Sequence, residues 1–178
     1  MSKLIIVCGF PASGKTSLSK ELSRRMNMFC LHKDSIKENL FETMGLSTLE
    51  DSKRIGAVSS KLLLALAREQ LANGVDLIIE APFNFPKDYD LFAQWEKEYG
   101  VKMYKVICRI GDEERVNRYN DRLAERHYCH CDNQRVANGE VEVQMDYSIY
   151  DSMPGEKMEI ETNRPVEVLA EEIINKIN

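Results

Sequence analysis

The chain has 178 residues, 43% of them hydrophobic, with 24 Lys and Arg against 29 Asp and Glu, for a formal net charge of −5. That length suits one domain, residues 1–178, with a sizeable core, and the acidic balance excludes a surface that is a nucleic-acid footprint throughout. No apolar run is long enough to span a bilayer and no leader pattern precedes the first apolar run, so a cytoplasmic protein without membrane partners is expected. Three of the five cysteines, Cys8, Cys30 and Cys108, lie in apolar strand-like runs, where buried reduced thiols are expected.

The first apolar run, Leu4–Cys8, reads as a buried strand and leads directly into Gly9-Phe10-Pro11-Ala12-Ser13-Gly14-Lys15-Thr16. This is the pattern G-x-x-x-x-G-K-[ST], placed between a strand and a helix start, where a phosphate-binding loop needs to be. The glycines let the backbone fold so that successive N–H groups surround one anion, and the helix opening near Lys15 offers its unpaired donors to the same phosphates. Gly9, Pro11, Ala12, Ser13, Gly14, Lys15, Thr16 and Ser17 are therefore the expected nucleotide contacts. Lys15 reaches the β- and γ-phosphoryl oxygens, and the Thr16 hydroxyl ligates Mg²⁺. The expected small-molecule partners are ATP and Mg²⁺.

Further strands are expected at Met28–His32, Val75–Glu80, Val101–Ile110 and Lys157–Glu161. Helical patterns alternate with them at Lys15–Met26, Ser35–Met44, Ser52–Asn73, Lys87–Tyr99, Asp112–Arg126 and Pro165–Ile177. The long third pattern places Ile55, Val58, Leu62 and Leu66 toward the core, and Asp132–Pro154 reads as helical only in part. Gly74 and Gly100 follow helices, where a left-handed residue is wanted. The alternation implies a parallel sheet covered on both faces, with ligands beyond the carboxyl ends of the strands.

Those strand ends supply the remaining candidates. Asp34, in His32-Lys33-Asp34-Ser35-Ile36-Lys37, is placed to take the proton of an attacking hydroxyl; it also suits a helix N-cap, and the two roles are compatible. Lys37 lies one turn into that helix. His32 and Lys33 alternate across a strand, so at most one faces the site, and His32 is read as structural. Glu80 closes the third strand and can hold Mg²⁺ through water, as can Asp34. Pro82-Phe83-Asn84-Phe85 follows, and Phe83 either walls an acceptor pocket or packs under a loop. Arg118, Arg122 and Arg126, four residues apart, form a cationic ridge on one helical face, suited to phosphoryl oxygens, in a lid over about 118–135. The alternative is a solvated face paired with Asp121 and Glu125. His127-Tyr128-Cys129-His130-Cys131 has metal-binding residue types, but structural zinc sites draw ligand pairs from two separated segments, and no second pair exists.

Two other branches of phosphate-loop proteins are excluded on residues. No glycine has Asp three positions before it, and the lone Asn-Lys, Asn175-Lys176, leads to Asn178, so the guanine-specific switch motifs are missing. The strand ending in Glu80 continues into Ala81-Pro82, without the second acidic residue of motor ATPases. With Asp34 as acceptor site and an arginine-bearing lid, a kinase remains. The loop, the Asp34-Ser35-Ile36-Lys37 motif and the segment ending Arg126-His127-Tyr128-Cys129-His130 resemble the small AAA-like phosphate-loop kinases, a group that takes in chloramphenicol phosphotransferase and the kinase domain of polynucleotide kinase; gluconate and shikimate kinases are more distantly similar. The resemblance implies a three-layer α/β fold with a five-stranded parallel sheet ordered 2-3-1-4-5, Asp34 as general base, Lys37 on acceptor or phosphate, and adenine near Thr162-Asn163-Arg164, with Asn163 as a contact. Lys37 stands where that family has Arg, and Glu80 where it has Asp. The activity expected is transfer of the ATP γ-phosphate to a hydroxyl of a small molecule. The alternatives are a 5′-hydroxyl polynucleotide kinase, against which the net acidity argues, and an ATP-binding protein without catalysis.

Overall fold

A parallel sheet forms where apolar, β-branched runs are buried on both faces, as the central strands are in the computed structural model, which describes residues 2–139 and 144–178, while the two edge strands are partly exposed. The strands are β1 (Lys3–Cys8), β2 (Phe29–His32), β3 (Leu77–Glu80), β4 (Lys102–Arg109) and β5 (Glu156–Glu161), paired in the order β2-β3-β1-β4-β5 with every pairing parallel. The helices are α1 (Lys15–Met26), α2 (Lys33–Thr43), α3 (Leu49–Ala72), α4 (Tyr89–Tyr99), α5 (Asp112–Asp121), α6 (Asp132–Ala137) and α7 (Val166–Ile177). Alternate residues of β1 feed two cores. Leu4, Ile6 and Cys8 pack with Leu63, Leu71, Phe92 and Trp95 under α3 and α4; Ile5 and Val7 pack with Leu18, Leu22, Leu169 and Ile173 under α1 and α7. The result is the expected three-layer α/β fold. All five cysteines are free, and no helix among the described residues is long and apolar enough to cross a membrane.

Several expectations need correction. The fifth helical pattern ends at Asp121 rather than Arg126. Asn117, Asn120 and Asp121 compete for backbone hydrogen bonds and favour turns over helix interior, and residues 122–126 close as a turn with Arg126 N–H donating to the Arg122 carbonyl at 3.0 Å. The buried face of α3 is Ser52, Ile55, Ser59, Leu63, Ala67 and Leu71, while Val58 and Leu62 are exposed. Two serines occupy the packed face because their hydroxyls are satisfied there: Ser59 donates to the Ile55 carbonyl at 2.7 Å and Ser52 accepts from Lys37 Nζ at 2.8 Å. Helix α2 starts at Lys33, with His32 in the N-cap position, so Asp34 lies in the first turn and is not the cap. The segment after Asp132 is helical in part, as α6 and a 3₁₀ turn at Tyr147–Tyr150; its residues 140–143 lie outside the described residues.

One buried cation braces the site from below. Lys105 on β4 is 4% exposed and donates to the carbonyls of Tyr150 (3.1 Å), Asp151 (3.0 Å) and Met153. It thereby seats Tyr147 and Tyr150 edge-on against Phe10 of the phosphate loop.

Candidate active site

The segment between β1 and α1 owes its shape to left-handed backbone at three positions, Gly9 (φ +143°), Ala12 (φ +67°) and Gly14 (φ +81°). A Cβ on Gly9 would lie 2.6 Å from the Cys108 carbonyl oxygen, and one on Gly14 would lie 3.3 Å from Thr162 Cβ. The close approach is reinforced by Thr162 Oγ1, 2.8 Å from the Ser13 carbonyl oxygen, so the end of β5 props the loop. Such a turn is an anion-binding concavity. The Ser13 hydroxyl is fully buried and has no hydrogen-bond partner among the described residues, an orphan polar atom that a phosphoryl oxygen would satisfy. Lys15 is buried, with Nζ donating to the Phe10 carbonyl at 3.4 Å and lying 4.0 Å from Glu80 Oε1. Thr16 Oγ1 donates to Glu80 Oε2 at 3.2 Å. A hydroxyl and a carboxylate side by side are hard oxygen donors of the kind Mg²⁺ selects, so the residues present fit both a triphosphate and its metal. Pro11 is exposed at the rim and Ser17 is exposed on α1.

Beyond the loop lies a cleft of about 340 Å³ whose walls carry Lys15, Lys33, Lys37, Arg115, Arg122, Arg126 and Arg135, against, among the described residues, only Asp34 and Asp132. On a chain of net charge −5 that local excess of cations is a focusing field for a polyanion. The Arg122 guanidinium stacks over the Tyr119 ring at 5.0 Å and leaves a buried Nε without a hydrogen-bond partner among the described residues. Burial, and then the charge of Arg126, disfavours the Arg122 cation; an incoming anion would relieve both effects.

Asp34 is the carboxylate at the centre of this cleft. Its Oδ2 accepts from Arg126 Nη2 at 3.0 Å, and Lys33 Nζ lies 3.8 Å from Oδ1. Burial alone would raise its pKa, but Lys33, His130, Arg126 and Lys15 outweigh it and hold the carboxyl well below the usual range. His130 adds little to this at neutral pH, because burial pushes its own pKa down to about 3, helped by Arg126, Lys37 and Lys33 and opposed by Asp34. Neutral His130 accepts from Arg126 Nη2 on Nδ1 (3.1 Å) and donates from Nε2 to Glu38 (2.9 Å). His127 Nε2 meets Glu42 at 2.9 Å, so two carboxylates one turn apart on α2 clasp the segment after α5.

The expected residues are thus partly brought together. Lys15, Thr16, Asp34, Lys37, Arg122 and Arg126 line one cleft, and Glu80 meets Thr16 beside it. Arg118 is not on that wall: it pairs with Glu114 at 3.0 Å and donates to the Thr162 carbonyl at 3.1 Å. Because α5 stops at Asp121, the three arginines form no ridge, and the stripe facing the cleft is Arg115 and Tyr119, both buried, one helical turn apart. Arg115 heads the run Arg115, Arg118, Arg122 and Arg126 from which the lid is read in the sequence. Asn163 is exposed beside Thr162 and does not line the cleft. Phe83, with φ +44°, packs its ring on Phe92 and accepts from the Tyr89 hydroxyl at 2.8 Å, while also lining a second cavity. That cavity, about 640 Å³, lies between α2, α3 and the segment after β3, and shares Lys33, Lys37, Pro82, Asn84 and Arg135 with the cleft. His32 and Lys33 do not alternate in and out, since Lys33 already belongs to α2: His32 Nδ1 lies 3.2 Å from Glu80 Oε2, and Lys33 lines both cavities. Glu38, Cys129 and His130 place one ligand atom each within 4.8 Å, but both His130 nitrogens are engaged and burial pushes the Cys129 thiol up to about 11.

Residues 4–146 match the family described as AAA domain. The chain belongs to that family. No curated protein matches it by sequence. Among solved structures, this AAA-family chain resembles a protein from Chloroflexus aurantiacus assigned as a kinase, at 25% identity and TM-score 0.78, over 98% of this chain and 97% of that one. It shares its fold with the APS kinase of Mycobacterium tuberculosis solved with AMPPNP and APS (16% identity, TM-score 0.64, 99% and 97% covered). The fold of the shikimate kinase of Acinetobacter baumannii, solved with shikimate, is likewise similar (16%, 0.56, 99% and 93%). The fold is that of the small phosphate-loop kinases.

Proposed function

We propose that this AAA-family protein is an ATP- and Mg²⁺-dependent kinase that phosphorylates a hydroxyl of a small molecule. The observation that carries the reading is the junction of two cavities: a cationic cleft bearing the phosphate loop opens onto a second space across shared walls, with Asp34 next to the shared Lys33. A protein that only binds ATP needs no second space there. The backbone around Ser13, with Lys15, holds the β- and γ-phosphates, and Thr16 and Glu80 hold Mg²⁺. When bound, that ion neutralises charge on the phosphoryl oxygens. Arg115, Arg122 and Arg126 stabilise charge on the transferred group, the forks of the guanidinium groups suiting its oxygens. Arg126 is the pivotal one, since the γ-phosphate competes with Asp34 for it. As Arg126 turns to phosphate, Asp34 is freed to accept a hydrogen bond from the acceptor hydroxyl. Its low pKa makes it a weak base, which suits a loose transition state in which the proton leaves late and positioning dominates.

The test is Asp34→Asn. Turnover with the best acceptor should fall on the order of 10²-fold, the lower end for a lost general base, with ATP affinity by titration within about threefold of the parent. Unchanged turnover would leave the protein an ATP binder. A collapse of ATP affinity would assign Asp34 to the nucleotide.

A further inference from the structure

The second cavity has a charge pattern that identifies what it takes. Its walls include Lys33, Lys37, Lys53, Lys61, Lys87 and Arg135 against, among the described residues, a single carboxylate, Asp88, in a chain where acidic residues outnumber basic ones. Three of these cations, Lys33, Lys37 and Arg135, are shared with the nucleotide cleft, within reach of a transferred phosphate. The other three line this cavity and not the cleft, so the γ-phosphate cannot explain them.

The geometry of α3 makes the point sharper. Its cavity-facing positions include Lys53, Gly56, Ala57, Ser60, Lys61 and Leu64, which follow the i, i+3, i+4, i+7 spacing of one helical face, with Ser52 and Leu63 beside them. Small residues occupy the middle and lysines stand eight residues apart, roughly 12 Å along the axis. Gly56, which has no side chain, keeps the middle of the wall low beside Lys37, whose Cε would lie 4.0 Å from a Cβ there. Across the space, Phe83 and Phe85 supply apolar surface and Lys87 a further cation. At the floor, Lys37 is 5% exposed, and its Nζ donates to the neutral Ser52 hydroxyl while pairing with no carboxylate among the described residues. A buried ammonium without a counter-ion is costly unless a ligand supplies one. Since Lys37 also faces the cleft, either the transferred phosphate or the acceptor supplies it, and it is Lys61 and Lys87 that call for a second anion.

We propose that the phosphate acceptor is itself an anion: a small alcohol with a flat or apolar body and a phosphoryl or carboxylate group, held by Lys61 and Lys87 with its body against the small face of α3. This deepens the kinase reading and rests on it for the word acceptor. The volume, about 640 Å³, is that of a small-molecule site rather than a polymer groove.

Two measurements test it. The first is ATP turnover on matched alcohols: glycerol and glycerol 3-phosphate, glucose and glucose 6-phosphate, adenosine and AMP, cyclohexanol and quinate, with a 5′-hydroxyl oligonucleotide. Phosphorylated or carboxylated members should exceed their neutral partners at least tenfold in kcat/KM, and the two kinds of anion separate as phosphate or carboxylate preference. Equal or better use of neutral members overturns the proposal, and so does preference for the oligonucleotide. The second needs no acceptor hydroxyl. With AMPPNP and Mg²⁺ in the cleft, the protein is titrated with 8-anilinonaphthalene-1-sulfonate and with its neutral counterpart N-phenyl-1-naphthylamine. The anion should bind at least tenfold more tightly, and Lys61→Gln/Lys87→Gln should reduce that preference about tenfold, the size of two partly exposed ion pairs. No preference, or a preference the double variant keeps, overturns the proposal. Turnover of ATP on any alcohol of the panel, charged or neutral, tests the kinase reading on its own, and AMPPNP affinity tests the nucleotide cleft.

Discussion

His130 makes the acid sensitivity of this protein predictable. It is 5% exposed, receives a hydrogen bond from Arg126 at 3.1 Å and gives one to Glu38 at 2.9 Å, an arrangement that requires a neutral ring. Burial pushes its pKa from the ordinary 6.5 to about 3. The unfolded chain therefore takes up a proton between those values that the folded protein refuses. The stabilisation from keeping His130 neutral is complete above pH 6.5 and drains away as pH falls toward 3. Between about pH 7.5 and 5.5, one such proton is worth about 1.4 kcal/mol of unfolding free energy. Urea denaturation along that range should show the parent losing this much more stability than His130→Gln, whose amide cannot titrate. The comparison is of slopes, so an overall loss of stability in the variant does not matter. Glu38, raised by burial, acts with the opposite sign: its raised pKa favours the folded protein on the acid side, and that share is lost as pH rises. It is present in both proteins and cancels in the difference. Parallel pH dependences, within about 0.4 kcal/mol, would refute the neutral buried imidazole and with it the account of how Arg126 is held.

Three further outcomes are expected. Lys15→Ala should lower turnover by on the order of 10²–10³-fold or more, the cost of one lost charge-stabilising donor; a near-parental rate would sink the phosphate-loop assignment. Arg122→Lys keeps the charge but loses the fork and the stack on Tyr119; turnover should fall about tenfold while the urea midpoint shifts by no more than about 1 kcal/mol equivalent. Lys105→Met leaves three carbonyls short of a donor and should cost about 3 kcal/mol in urea denaturation, since each buried unsatisfied group is worth about 1–3 kcal/mol; a loss under about 1 kcal/mol would show that the turn at 150–153 is held some other way.

The loop from Gly9 to Thr16, the strand before it and the parallel βα alternation were legible because each depends on local pattern: β-branched runs, glycines at turns, a lysine at a helix start. The strand order came only with the resemblance to the phosphate-loop kinases. Positions that depend on where a helix stops were not. Arg118, Arg122 and Arg126 follow one another at four-residue steps and would share a face in an unbroken helix, but Asn120 and Asp121 end α5 after Arg118, sending Arg126 to Asp34 and Arg118 to the Thr162 carbonyl. Nor does hydropathy reveal that Ser52 and Ser59, rather than Val58 and Leu62, face inward on α3, because a serine is admitted to a packed face only by the partner it finds there. By itself, the sequence determined that this chain folds as a phosphate-loop domain and that its carboxylate candidates stand at strand ends. Only the tertiary structure decided which arginines share a cleft, that His130 must be neutral, and that lysines from α2, α3 and the segment after β3 ring one space. Charges distant in sequence become a field only when packing brings them around the same cavity.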